Sequence, residues 1–197
     1  MNLTSTINDS IEEAYISRND YWNGSIFEKL AALQNDERGK WGEKFLHSLL
    51  TCACIPSQWD GDSNTNQSDG TYDLKLLNQH QTRIEVKTSA SEANWQHEPI
   101  ISEPDWDLLI LIDLNYDHLF LSIFTHDELK PILIPGISKH VHLGVGAHLR
   151  KSKNAGYKFD LSPASMQRSL THGYTFSYDM NAPDDTGLLE FLRSKCI

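Results

Sequence analysis

The sequence predicts an α/β (α+β) fold, a central mixed β-sheet flanked by helices, with a helical extension at its N-terminus. Three observations point there. Apolar residues recur at helical spacing from residue 37 to about 52, strand-like alternation follows between 71 and 88, and the continuous apolar run Trp106–Leu114 reads as a buried strand. Helices first, then a strand cluster, then mixed elements is the order of a layered α and β domain.

Residues 9–34 read as one or two helices. Asp9 or Ser10 can cap the first, and Ile11, Ala14, Tyr15, Tyr21 and Trp22 are its apolar positions. Asp36 is the expected cap of the next helix, Glu37 to about Cys52, whose apolar face is Trp41, Phe45, Leu46, Leu49, Leu50 and Ala53. Gly39 and Gly42 lie within this helix, where glycine costs about 1 kcal/mol relative to alanine. A close backbone approach would offset that cost. Glu43 falls at the edge of the apolar face, placed to reach past the helix into a cleft. His47 lies opposite much of that face and is expected in solvent.

Residues 57–70 are polar and read as a loop. Two short strands follow, Thr71–Leu77 and Thr82–Thr88, joined by Asn78–Gln81. Trp106–Leu114 turns through Asn115–Asp117 into Leu119–Phe124. Thr125 caps a short helix, Asp127–Leu129, which Pro131 limits. Tyr157–Leu161 alternates as a strand, Ser162–Pro163 opens a helix to about Leu170, and Asp184 or Asp185 starts a last helix, Leu188–Lys195. Trp95 and Trp106 are expected in the core.

The hairpin at 71–88 carries the chemistry. Leu74 and Leu76 share one face of the first strand, with Asp73 and Lys75 on the other. Ile84 and Val86 share one face of the second, with Glu85 and Lys87 on the other. Burying both apolar pairs together restricts the register to paired numbers summing to 160 or 158. The first sets Asp73 opposite Lys87; the second sets it opposite Glu85. Either way the three side chains share one polar face. Opposed carboxylates repel unless a cation lies between them, and a hard divalent ion such as Mg2+ prefers oxygen ligands. Lys87 beside it could orient or deprotonate a metal-bound water. These are the parts of metal-assisted phosphodiester hydrolysis.

These residues resemble the PD-(D/E)xK nuclease superfamily, and in particular type II restriction endonucleases. The matching pieces are Glu43 in Glu37–Glu43, Asp73 in Gly70-Thr71-Tyr72-Asp73, and Glu85-Val86-Lys87-Thr88-Ser89, followed by Trp95-Gln96-His97 and the strand after Asp105. Tyr72 stands where the motif's name has proline. The likeness spans roughly residues 37–165. It implies a restriction-endonuclease-like core over residues 37–197, with residues 1–36 as a dimerisation or DNA-embracing arm. It implies that Asp73, Glu85 and the Val86 carbonyl bind Mg2+ (Mn2+ as a substitute), with Glu43 supporting the metal. Lys87 handles the nucleophilic water, and Gln96 contacts the metal's surroundings or the scissile phosphate. The implied activity is cleavage of double-stranded DNA by a homodimer, one active site per strand. A repair or recombination nuclease, such as a nicking enzyme or junction resolvase, shares the same chemistry.

Charge bears on the partner. The chain carries 17 Lys and Arg against 27 Asp and Glu, a net −10, where a nucleic-acid binder is usually basic. The distribution is uneven. Residues 1–137 hold 9 basic and 22 acidic side chains, a net −13. Residues 138–170 hold six basic side chains against Asp160, a net +5. Residues 171–197 come to −2. His148, Arg150, Lys151 and Lys153 in the basic stretch are the expected DNA-phosphate contacts. A non-catalytic acidic protein that mimics DNA is the alternative the −13 suggests, but it leaves the basic stretch and the hairpin constellation without a role. The odd, sparse cysteines Cys52, Cys54 and Cys196 fit a reducing cytoplasm. Neither Cys52 and Cys54 nor His140, His142 and His148 have the partners of a zinc site. No secretory signal, membrane-length apolar run or phosphate-binding glycine motif occurs, so neither a membrane nor a nucleotide cofactor is expected.

Overall fold

Every residue of Leu108–Leu114 is buried, and this strand, with Arg83–Ala90 beside it, occupies the middle of a six-stranded mixed sheet. The fold is that of a computed structural model describing residues 21–59, 72–100, 105–129, 141–142, 148–151 and 157–197. In chain order the described elements are α1 (Glu28–Ala31), α2 (Asn35–Cys52), β1 (Ser57–Trp59), β2 (Leu74–Leu76), β3 (Arg83–Ala90), β4 (Trp95–Ile100), β5 (Leu108–Leu114), β6 (His118–Thr125), α3 (His126–Leu129), β7 (Val141–His142), β8 (His148–Lys151), β9 (Tyr157–Leu161), α4 (Pro163–Thr171), β10 (Thr175–Asp179) and α5 (Asp185–Cys196). The large sheet runs β1-β2-β3-β5-β6-β10, and a four-stranded sheet runs β4-β9-β8-β7. β3 and β5 are parallel, the other pairs of the large sheet antiparallel. A strand between neighbours with both faces covered is mostly apolar, as the run Leu-Leu-Ile-Leu-Ile in β5 is.

Side-chain alternation along β5 feeds two separate cores. Leu108, Ile110, Ile112 and Leu114 join Ile84, Val86, Leu46 and Leu50 of α2, and Leu188 and Leu192 of α5. Leu109 and Leu111 join Trp95 of β4, Trp106, Phe124, Leu129, Leu161 of β9 and Met166 of α4. Helices thus cover one face of the large sheet, and the second sheet with α4 covers the other. On this second face Asp113 is wholly buried, and its Oδ1 lies 2.9 Å from Nε2 of buried His97 on β4. Burial raises the Asp113 carboxyl above its ordinary range, and His97 pulls the other way. Despite the short approach, neither Asp113 oxygen nor His97 Nε2 has a partner in good hydrogen-bond geometry among the described residues. This close approach of two buried polar side chains joins β4 to β5.

The helix ends follow local chemistry. Ser162 Oγ accepts from the Ser165 N–H at 3.2 Å, with Pro163 next in line. Asp184 accepts from the Gly187 N–H at 2.9 Å. Thr125 Oγ1 accepts from the Glu128 N–H, while Glu128 accepts from the Thr125 N–H, a capping box.

The structure corrects several expectations. α2 begins at Asn35, not Glu37, because Glu37 reaches back to accept from the Gln34 N–H at 3.3 Å, so that Asp36 lies inside the first turn. Of the helices expected over 9–34, residues 9–20 lie outside the described residues, and the remainder holds only the four-residue α1. Ser57–Trp59, expected as loop, is a strand because it completes the ladder on β2. β4, β7, β8 and β10 were not expected as strands; β4 and β10 pair with β9 and β6, more than 50 residues away, while β7, β8 and β9 pair in sequence order. His47 is half-buried, its Nδ1 2.9 Å from Ser57 Oγ, because β1 lies beside α2. Trp95 and Trp106 are in the core as expected. The three cysteines are free thiols, and burial pushes that of Cys196 up to about 12. Among the described residues no helix is long and apolar enough to cross a membrane.

The two glycines of α2 differ. A Cβ on Gly42 would stand 1.9 Å from Thr88 Oγ1 of β3, whereas one on Gly39 would meet nothing within 4 Å. Gly42 is therefore the point where α2 lies directly on β3. Urea unfolding is expected to show Gly42→Ala losing about 1–3 kcal/mol through overpacking. Adding Thr88→Ala should recover most of that, and Gly39→Ala should be neutral or gain up to about 1 kcal/mol. An undisturbed Gly42→Ala variant would mean the two elements do not meet there.

Candidate active site

The register of the hairpin is the second of the two allowed: Leu74 pairs Ile84 and Lys75 pairs Arg83. Asp73 therefore stands level with Glu85 rather than Lys87. The ladder ends at Leu74, and Asp73 departs from the regular strand. Its N–H donates to the Ile84 carbonyl at 2.9 Å, and its Oδ2 accepts from the Val86 N–H at 2.7 Å. The side chain thus takes the place of a missing strand neighbour, as a buried N–H requires. In an extended strand the N–H and C=O of one residue leave on the same side. The Val86 carbonyl is accordingly directed to the side on which Asp73 sits.

Ile84 and Val86 face α2, so Glu85 and Lys87 emerge on the other face. The Lys87 ammonium donates to the Glu85 carboxylate in an ion pair, both side chains being less than a quarter exposed. Glu43, one residue past the Gly42 contact, accepts from the Trp59 indole N–H at 3.0 Å. Burial raises the Glu43 carboxyl above its ordinary range, with Trp59 opposing, Asp73 adding repulsion, and Lys87 and Lys40 opposing. Burial likewise raises Glu85, opposed by Lys87 and reinforced by Asp73 and Glu43. Glu43, Asp73, Glu85 and Lys87 thus bear on one another's charge beside β3, past the end of β2 among the described residues, although the carboxylate oxygens of Glu43, Asp73 and Glu85 do not all come within 4.8 Å of one another. A set of oxygen donors that repel one another under partial burial suits a hard divalent cation.

Gln96 is not drawn into the group. It is exposed on β4, beside Asp160 of β9 in the ladder, and among the described residues no hydrogen bond or ion pair joins it to the other four. His148, Arg150 and Lys151 belong to β8 by their backbone. Their side chains, and Lys153 entirely, lie outside what is described.

Two features escape sequence reasoning. Trp59 was part of an expected loop, and its approach to Glu43 depends on the β1–β2 pairing. The other feature is a trio, Asp117, His118 and Asp179. Among the described residues it alone brings three such ligand atoms within 4.8 Å of one another. It arises because Asp179 pairs with His118 across β10 and β6, and β10 was not expected. Its acceptors are already engaged. Asp117 bonds His118 and receives the Asn181 side chain, and Asp179 accepts from the Asn181 N–H at 2.8 Å. These bonds close the turn after β10, and two of the three side chains are about a third or more exposed.

No family model, curated protein or solved structure matches the chain.

The raised Glu85 carboxyl predicts a stability signature. A group held above its unfolded pKa stabilises below that unfolded value and loses the contribution as pH rises through the folded one. The cation-free protein should therefore lose ground to Glu85→Gln as pH rises through the carboxylate range. Thermal midpoints of the two, measured from pH 4 upward, are expected to diverge in the variant's favour; a constant gap would contradict the burial of this charge.

Proposed function

We propose that this protein is a Mg2+-dependent endonuclease of the PD-(D/E)xK class with a restriction-endonuclease-like core, a homodimeric type II restriction enzyme acting on double-stranded DNA. The observation that carries the reading is the arrangement around Val86: Asp73 bonded to its N–H, Glu85 and Lys87 on either side of it, and Glu43 closing the edge. Asp73, Glu85 and the Val86 carbonyl are the groups that would hold Mg2+, with Glu43 supporting them. Bound there, the ion would lower the pKa of a coordinated water and stabilise charge developing on the phosphoryl oxygens.

The chain's own residues do the rest. Asp73 is restrained by the Val86 N–H, so one of its oxygens is pre-positioned. Glu85 carries its charge in a partly buried place where Lys87 is its nearest compensation. Lys87 is consequently held within reach of whatever Glu85 binds, and its role is to orient the attacking water and exchange a proton with it. The +5 stretch, residues 138–170, which includes β8, is the part of the chain whose charge suits a DNA backbone. A duplex has two strands, and two copies of one active site related by a two-fold axis match it.

The test is incubation of the purified chain with long duplex DNA and Mg2+, followed by sequencing of the fragment ends. Cleavage at a recurring sequence is expected, whereas cutting confined to branched DNA would point to a repair nuclease. Glu85→Ala and Lys87→Ala should each slow cleavage by at least about 100-fold, and wild-type rates in either variant would remove the assignment. Duplex affinity in a filter or gel-shift assay should be weak in chelator and rise on adding Ca2+ or Mg2+. Equal affinity in both would leave the −13 of residues 1–137 uncompensated.

A further inference from the structure

We infer that Trp59 is a positioning residue for Glu43, its indole N–H holding the carboxylate at the open edge of β3 and thereby setting how readily the site takes up a divalent cation. The inference rests on the metal-dependent reading of the site given above. A glutamate has three rotatable bonds, and ordering it costs side-chain entropy. α2 fixes only the backbone of Glu43, through the Gly42 contact with Thr88. What fixes its far end is the bond from Trp59 Nε1 to Oε2 at 3.0 Å.

Trp59 is well placed for this. Its ring packs against the core shared by α2 and β3, so the direction of its N–H is set by packing. Its partner in the β1–β2 ladder is Leu74, the residue next to Asp73. The indole therefore reaches Glu43 from the strand paired with β2, whose Leu74 adjoins Asp73. An indole N–H donates and never accepts, so it favours an acceptor oxygen at that place. Partners of this kind, which orient a metal-binding carboxylate without touching the metal, typically change affinity 10- to 100-fold when removed.

The experiment titrates the full chain, free of DNA, with Mn2+ at neutral pH, reading bound ion by electron paramagnetic resonance. Trp59→Phe keeps the ring and deletes the N–H. It is expected to weaken Mn2+ binding about 10-fold while the thermal midpoint stays within about 2 °C of wild type. Site-specific replacement of Trp59 by benzothienylalanine, with sulfur in place of the N–H, should weaken binding equally and guards against a packing defect in the phenylalanine variant. Glu43→Gln should also weaken binding, and Trp59→Phe on that background should add nothing. Wild-type affinity in both Trp59 replacements, or an undiminished further loss on the Glu43→Gln background, overturns the inference while leaving the metal site standing. Failure of the wild-type chain to bind Mn2+, or unchanged binding by Glu85→Ala, overturns the metal site and the inference with it.

Discussion

Ile84 and Val86 are pressed beneath α2, and because side chains alternate along a strand, Glu85 and Lys87 are left with the opposite face of β3. Nearly everything at the candidate site follows from that division. β2 ends at Leu74, level with Ile84, so among the described residues the next two residues of β3 have no ladder partner on that side. Asp73 turns out of the strand to bond the Val86 N–H. An acidic side chain is thereby brought beside Glu85 by the backbone's need for a partner. The repulsion between them is offset in part by Lys87, which is why the lysine lies across Glu85 and not in solvent.

The same strand receives the helix. α2 can reach β3 only because position 42 has no side chain to meet Thr88. The glycine costs helix propensity and returns proximity, and the adjacent Glu43 is carried to the sheet edge as a result. On the far face the buried His97–Asp113 pair joins the second sheet to the first. The core thus has an apolar layer under the helices and a second layer, with one buried polar pair, under the small sheet. Glu85 and Lys87, on the face of β3 away from the helices, are only partly buried.

The net −10 looks at first like an argument against a polyanionic partner. Part of it belongs to Glu43, Asp73 and Glu85, whose charges the proposed Mg2+ would partly neutralise. The remaining acidity is spread over residues 1–137 and acts at a distance, where salt screens it beyond about 8–10 Å. In the nuclease proposed above, this contrast between an acidic body and a +5 stretch would make the grip on DNA depend on the cation.

The strands of the hairpin, the buried β5, the caps at Thr125, Ser162 and Asp184, and the shared face of Glu85 and Lys87 were all legible in the sequence, because each depends on neighbours within a few residues. The hydrophobic pattern also narrowed the hairpin to two registers. Choosing between them took the tertiary structure, since both bury the same apolar pairs and only the ladder geometry separates them. The strand character of residues 57–59 and 175–179 was hidden for a related reason: an edge strand is defined by the partner it pairs with, and those partners lie 15 and more residues away. Trp59 meeting Glu43, Gly42 rather than Gly39 carrying the helix contact, and Asp113 finding His97 are likewise facts of packing between distant segments. Local propensity and periodicity determined which residues could do chemistry on β3; the end of a neighbouring strand decided how they meet.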